Sequence, residues 1–171
     1  MEVDISSIRY NVGASFKVTV SASWPPFEWA GEEICFDQPV TVELELTNTG
    51  ELYLARGQVT TTVVMACSRC LEPVKLALEL PFAVGYTEHK MDTTSPDDNL
   101  EVRPISGDII DVTPDVEETI LLSLPMKSLC NPDCQGLCPQ CGQNLNLKLC
   151  TCKQDRVDPR LAVLRDFINK I

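Results

Sequence analysis

Apolar and polar positions alternate with a period of two through much of residues 1–86. Phe16, Val18 and Val20 share one face against Lys17 and Thr19, and Val40, Val42, Leu44 and Leu46 oppose Thr41, Glu43 and Glu45. Val74, Leu76, Leu78, Leu80 and Phe82 repeat the pattern within residues 71–86. This is the period of a strand with one buried face. Thr47-Asn48-Thr49-Gly50 gathers turn formers between residues 40–46 and a Val/Thr-rich run over 52–65, which predicts a hairpin over 40–65. Trp24-Pro25-Pro26-Phe27-Glu28-Trp29 breaks the alternation, and its prolines exclude a central strand. It reads as a loop folded over the open end of the sheet; the alternative is an aromatic dock for a partner.

The pattern changes after residue 86. Residues 87–107 are polar and rich in acidic and turn-forming residues, and predict a mobile loop. His89, the one histidine, falls there and reads as solvated, not as a ligand. A helix is predicted over 113–124, with Thr113 as N-cap, Pro114 in the first turn, and Asp115, Glu117 and Glu118 near its positive end. Val116, Ile120, Leu121 and Leu124 form its apolar stripe. A second helix is predicted over 159–169, where Asp158-Pro159 precedes a face of Leu161, Leu164, Phe167 and Ile168. Both stripes read as core packing. The expected class is α+β: an antiparallel, strongly curved sheet, barrel-like in the limit, with one packed helix, a cysteine-rich tail and a C-terminal helix.

Charge divides the chain at the same place as the pattern. Residues 1–126 carry 7 Lys/Arg and 21 Asp/Glu, a net −14, whereas residues 127–171 carry 7 and 4, a net +3. An acidic, β-rich body thus precedes a mildly basic tail. The body repels nucleic acid and suits a basic protein partner. Only the tail has side chains that favour RNA, and a dication held by four thiolates would offset part of that charge. No apolar run is long enough to span a bilayer, and Met1-Glu2-Val3-Asp4 does not begin a secretory signal. The expected setting is the bacterial cytoplasm, or the plastid stroma for a plant protein.

Nine cysteines in such a chain point to metal rather than disulfides. Cys67-Ser68-Arg69-Cys70 lies in the tight connection between two predicted strands. Cys130, Cys134, Cys138, Cys141, Cys150 and Cys152 crowd into the tail. A C-x2-C turn aims two thiolates at one ion, and eight thiolates make two four-sulfur sites of the structural kind. Cys138, Cys141, Cys150 and Cys152 form a local set of two close pairs, with Gly142 permitting the turn after the first pair. Cys130 and Cys134 then remain for Cys67 and Cys70, an arrangement that would staple the tail to a hairpin tip. A rival grouping joins Cys130, Cys134, Cys138 and Cys141 and leaves Cys67 and Cys70 to Cys150 and Cys152. Ligand softness favours zinc, with iron the alternative. Cys35, between Ile34 and Phe36, reads as a small buried apolar side chain.

The cysteine segments, with Leu129-Cys130-Asn131-Pro132-Asp133-Cys134-Gln135-Gly136-Leu137-Cys138-Pro139-Gln140-Cys141-Gly142 and Cys150-Thr151-Cys152, resemble the YceD family, the large ribosomal RNA subunit accumulation proteins. Gly107-Asp108-Ile109-Ile110-Asp111-Val112 and Leu122-Ser123-Leu124-Pro125-Met126-Lys127 share in the resemblance, which runs from about residue 40 to the end. The stretch from Trp24 to Asp37 matches no family pattern. The resemblance implies the first of the two ligand groupings and a role in accumulation of large-subunit ribosomal RNA. It brings no catalytic residues.

Three functions follow for comparison. The first is a non-enzymatic, zinc-binding factor in biogenesis of the large ribosomal subunit. Its partner would be a subunit precursor, engaged through a basic ribosomal protein and at candidate RNA contacts Arg69, Lys148, Lys153, Arg156 and Arg160. The second is a zinc-ribbon adaptor outside ribosome assembly, for example in transcription. The third is an enzyme. Against it, the sequence has no H-E-x-x-H, no deaminase-like H-x-E with C-x2-C, no Gly-rich phosphate loop and no nucleophile elbow. A redox role for Cys67 and Cys70 lacks the strand-then-helix setting that lowers a thiol pKa. The first reading, with no small-molecule substrate and no membrane, is the expectation.

Overall fold

A computed structural model describes residues 1–29, 31–88 and 100–152. Its elements run β1 (Glu2–Asp4), β2 (Ser15–Ala22), β3 (Phe27–Trp29), β4 (Glu32–Phe36), β5 (Val40–Asn48), β6 (Tyr53–Ala66), β7 (Pro73–Thr87), β8 (Glu101–Pro104), β9 (Ile109–Asp111) and α1 (Thr113–Ser123). The protein is α+β. No helix among the described residues is long and apolar enough to cross a membrane.

The sheet is organised around its two longest strands. β6 and β7 pair antiparallel over their whole shared length, from Tyr53 opposite Tyr86 to Ala66 opposite Pro73. The other edge of β6 is divided: β5 takes residues 53–60, and β4 takes Val63 and Val64. β2 extends the sheet beyond β5, β3 extends it beyond β4, and β8 joins β7 in parallel. The sheet does not close, so the barrel-like limit is not reached. At Gly57 the backbones of β5 and β6 approach so closely that a Cβ would stand 1.8 Å from the Glu43 carbonyl oxygen. Only glycine fits there.

The alternating residues do what their period predicts. Val40, Val42, Leu44, Leu46, Val59, Val63, Leu78, Phe82 and Val84 form one buried core. Val116 and Ile120 of α1 and its C-cap residue Leu124 enter the same core, and Leu121 packs at its margin. A buried polar network also ties α1 to the sheet. Tyr86 Oη donates to Asp115 Oδ2 at 2.5 Å, and Arg103 Nε donates to Asp115 Oδ1 at 3.0 Å. Burial, and then the neighbouring carboxylate, push the Tyr86 pKa upward, so the phenol stays protonated and remains a donor.

Three local expectations change. Residues 101–104, placed in the mobile loop over 87–107, are strand β8, because the β7 edge beyond Phe82 is free to accept a neighbour. Residues 89–99 with His89, and the helix predicted over 159–169, lie outside the described residues. The N-cap of α1 is Val112, not Thr113. Asp111 instead accepts the Thr113 N–H at 2.9 Å and so serves the helix end from outside. The segment from Trp24 to Trp29 ends in a strand, β3, hairpinned to β4. Trp24 and Phe27 pack on Phe36 with ring centroids 5.5 and 5.8 Å apart, so the segment does cover the core margin. β1, whose three residues show no usable period, pairs with β9 and buries Val3.

Candidate metal centres

Two reversals of the chain build the sites, and they share one backbone design. After β6 the chain turns through Cys67-Ser68-Arg69-Cys70 into β7. The Cys67 N–H donates to Glu72 O at 2.8 Å, and the Leu71 N–H donates back to Cys67 O at 2.9 Å. In the tail the Cys138 N–H donates to Gln143 O at 2.8 Å, and Gly142 N–H to Cys138 O at 2.9 Å. In both, the residue after the second cysteine takes a left-handed conformation: φ is 62° at Leu71 and 71° at Gly142. Gly142 announces this turn in the sequence. Leu71 conceals the same turn behind a residue that rarely adopts it.

The first set comprises Cys67, Cys70, Cys130 and Cys134, whose sulfurs all lie within 4.8 Å of one another. The Sγ–Sγ distances are 3.9 Å for Cys67–Cys134 and 3.5 Å for Cys70–Cys130. A disulfide needs about 2.05 Å. Sulfurs tetrahedrally arranged at ~2.3 Å from one ion stand about 3.8 Å apart, so the set fits a metal and not a bridge. Cys67, Cys70 and Cys134 are buried with Val74, Leu129 and Leu137 packed around them. The second set, Cys138, Cys141, Cys150 and Cys152, gathers its sulfurs within the same 4.8 Å but is more exposed. The rival grouping through Cys130, Cys134, Cys138 and Cys141 is not assembled among the described residues.

Outer contacts orient the sulfurs. The Cys130 N–H reaches Cys67 Sγ at 3.4 Å, Asn146 Nδ2 donates to Cys134 Sγ at 3.3 Å, and the Gln140 N–H reaches Cys138 Sγ at 3.4 Å. Backbone donors, first that of Cys130, hold the Cys67 thiol down at about 6. Those of Cys141 and Gln140 do the same for Cys138, also to about 6. Cys130, against the sulfurs of Cys70 and Cys134, is pushed up to about 12. Cys152, against Cys141, is likewise pushed up to about 12. Each set therefore offers at least one ready thiolate and one thiol that keeps its proton until an ion displaces it.

The Arg69 side chain is engaged with backbone carbonyls. Its guanidinium donates to Cys134 O at 2.7 Å and Pro132 O at 3.3 Å, which ties the tail to the hairpin tip. Ser68 N–H adds a bond to Ser128 O at 2.8 Å. Gly136 packs against this tip, where a Cβ would come 3.1 Å from Arg69 O. These carbonyl contacts and the Asn146 amide carry no signature in the cysteine spacing. Lys148 is exposed beside the second set; Lys153, Arg156 and Arg160 lie outside the described residues. Cys35 is half-buried on β4, opposite Val64 and apart from both sets. With four sulfurs in each set, an ion held there has no vacant position for a substrate, which is the arrangement of a structural site.

Comparison with known proteins agrees with these segments. The family described as "Large ribosomal RNA subunit accumulation protein YceD" matches residues 55–168. An uncharacterized protein of Mycobacterium tuberculosis is 33% identical, covering 98% of this chain and 81% of the relative. The uncharacterized protein YlbN of Bacillus subtilis is 33% identical over 63% of this chain and 62% of its own length. A chloroplastic protein of Zea mays, named a YCED homolog 1 for large ribosomal RNA subunit accumulation, is 27% identical over 70% of this chain and 50% of its own length. No solved structure matches.

Proposed function

Since the chain belongs to the YceD family, we propose that it is a non-enzymatic, zinc-binding factor in biogenesis of the large ribosomal subunit. The observation that carries this reading is the pair of four-sulfur sets. Both are saturated by cysteine, and the first ties the tail to the sheet at Arg69 and Ser68. Bound zinc would supply cross-linking and no chemistry. The result is a rigid surface for association.

The family name points that surface toward large-subunit ribosomal RNA. The charge distribution refines the target. The acidic body favours a basic ribosomal protein, and Lys148, Lys153, Arg156 and Arg160 are the residues of the tail sequence suited to RNA. Density-gradient sedimentation tests the proposal. Tagged protein should migrate with precursors of the large subunit, and its depletion should lower large-subunit RNA. If neither occurs, and the protein migrates instead with the transcription machinery, the adaptor reading replaces this one.

A further inference from the structure

The sheet ends in three strands paired on one side only among the described residues: β2, β8 and β3. Free edges invite strand addition, and proteins protect them with cations, prolines or brevity. β2 carries Lys17 at mid-edge, and β8 carries Arg103 and Pro104. β3 has no cation and no proline within it and is protected by brevity alone, at three residues. It presents Phe27 and Trp29, half-buried, with Glu28 exposed between them.

The hairpin that holds this edge is electrostatically unfinished. Glu28 stands directly opposite Glu33 across the β3–β4 ladder, and Trp29 stands opposite Glu32. Like charges at facing positions of a strand pair destabilise it. None of Glu28, Glu32 and Glu33 has an ion-pair partner among the described residues, whereas nearby Asp37 is paired with Lys75 at 2.7 Å. Folding of the chain explains Phe27, which packs on Phe36, and Trp29, which packs at the core margin, but it does not explain three uncompensated carboxylates at an open edge.

We propose that the free edge of β3 is a docking strand for an extended Lys/Arg-rich protein segment. Backbone of that segment pairs with Phe27–Trp29, and its cations lie against Glu28, Glu32 and Glu33. Strand addition uses main-chain hydrogen bonds for affinity and alternate side chains for specificity. A cation beside Trp29 gains further from the indole face. The same carboxylates repel phosphate, which disfavours RNA at this edge, and repel a second copy of the chain, which would bring like charges together. The partner's origin, a basic ribosomal protein, rests on the function proposed above; the chemistry of the edge does not.

The test titrates isotope-labelled full-length, zinc-loaded protein with a short synthetic peptide of alternating Lys and Val, monitored by amide shifts. Parallel titrations use the matching Glu/Val peptide and a single-stranded RNA oligomer. Salt-sensitive shifts centred on residues 27–36 with the Lys peptide alone are expected. The E28Q/E32Q/E33Q variant should bind about tenfold more weakly, and E43Q/E45Q, on the outer face of β5, should bind as the parent does. Loss of three repelling charges should leave the variant folded. Shifts centred on Glu43, Glu45 and Glu79, an equal response to either control ligand, or unchanged affinity in the triple variant would overturn the inference. A gradient experiment separates the two proposals. If the parent migrates with large-subunit precursors and the triple variant does so equally, the docking edge fails alone. If the parent does not migrate with them, the ribosomal reading fails, and peptide binding still judges the edge.

Discussion

The sheet with α1 and the cysteine-rich segment after it are held by different forces. In the first, more than twenty apolar side chains close one core, from Val3 to Leu124. In the second, Leu129 and Leu137 are tucked against the first cysteine set, but Leu147 and Leu149 are 78% and 85% exposed. Residues 127–152 do not bury enough apolar surface to offset the entropy of ordering them. Eight sulfurs, six of them in the tail, would take over that task once they hold ions. A region can thus be as well defined as a β-sheet with almost no hydrophobic core, provided an ion does the cross-linking.

Metal removal should break this comparison most sharply. Structural zinc contributes an apparent ~10–16 kcal/mol to small zinc-finger peptides, against ~5–15 kcal/mol for the net stability of a whole domain. Chelation, or Cys138→Ser, is expected to collapse amide dispersion over 129–152 while the sheet resonances stay in place. Dispersion that survived in the tail would show that its own packing suffices. Acid should reach the same end by another route, because ions bind the deprotonated thiols. In the folded geometry the lowered Cys67 and Cys138 pKa values contribute stability present above the unfolded value of 9.0 and lost as pH falls through about 6. Cys130 and Cys152, at about 12, still hold protons at neutral pH. Zinc titration into metal-free protein in weak buffer should therefore release protons, read with an indicator dye. Binding without release would contradict the assignment of these thiols.

Core truncation probes the other region. Leu46→Ala removes a fully buried side chain and should cost ~2–5 kcal/mol in denaturant unfolding, with bound zinc unchanged. Gly57→Ala should cost ~1–3 kcal/mol, because its Cβ would collide with the Glu43 carbonyl and force the strands apart. The smallest effect belongs to the first cysteine turn. Leu71 is 67% exposed, so Leu71→Gly loses little packing and relieves a left-handed leucine. The expected change is between none and a gain of about 1 kcal/mol. A clear loss would mean that the leucine side chain supports the turn.

Alternation and spacing were legible wherever the physics is local. The strands over 40–46 and 71–86 follow from side-chain period, as does the stripe of α1, and the strand over 52–65 follows from its Val/Thr content after a turn cluster. The grouping of the cysteines was arguable from spacing, though two groupings stood open until the fold brought Cys130 and Cys134 to Cys67 and Cys70. Partners far apart in sequence left no such trace. β1 gives no period in three residues, yet it pairs with β9. β8 looked like part of a polar loop because pairing on one edge demands no apolar pattern.

By itself the sequence determined which residues could be strands, which thiols could bind metal, and where charge changes sign, because these depend on residue type and near neighbours. Tertiary structure decided which turn meets which, that Arg69 is spent on the carbonyls of Pro132 and Cys134, and that the sheet stays open with β3 at an edge. Those outcomes depend on contacts between distant segments, whose energies are settled only when the chain is folded.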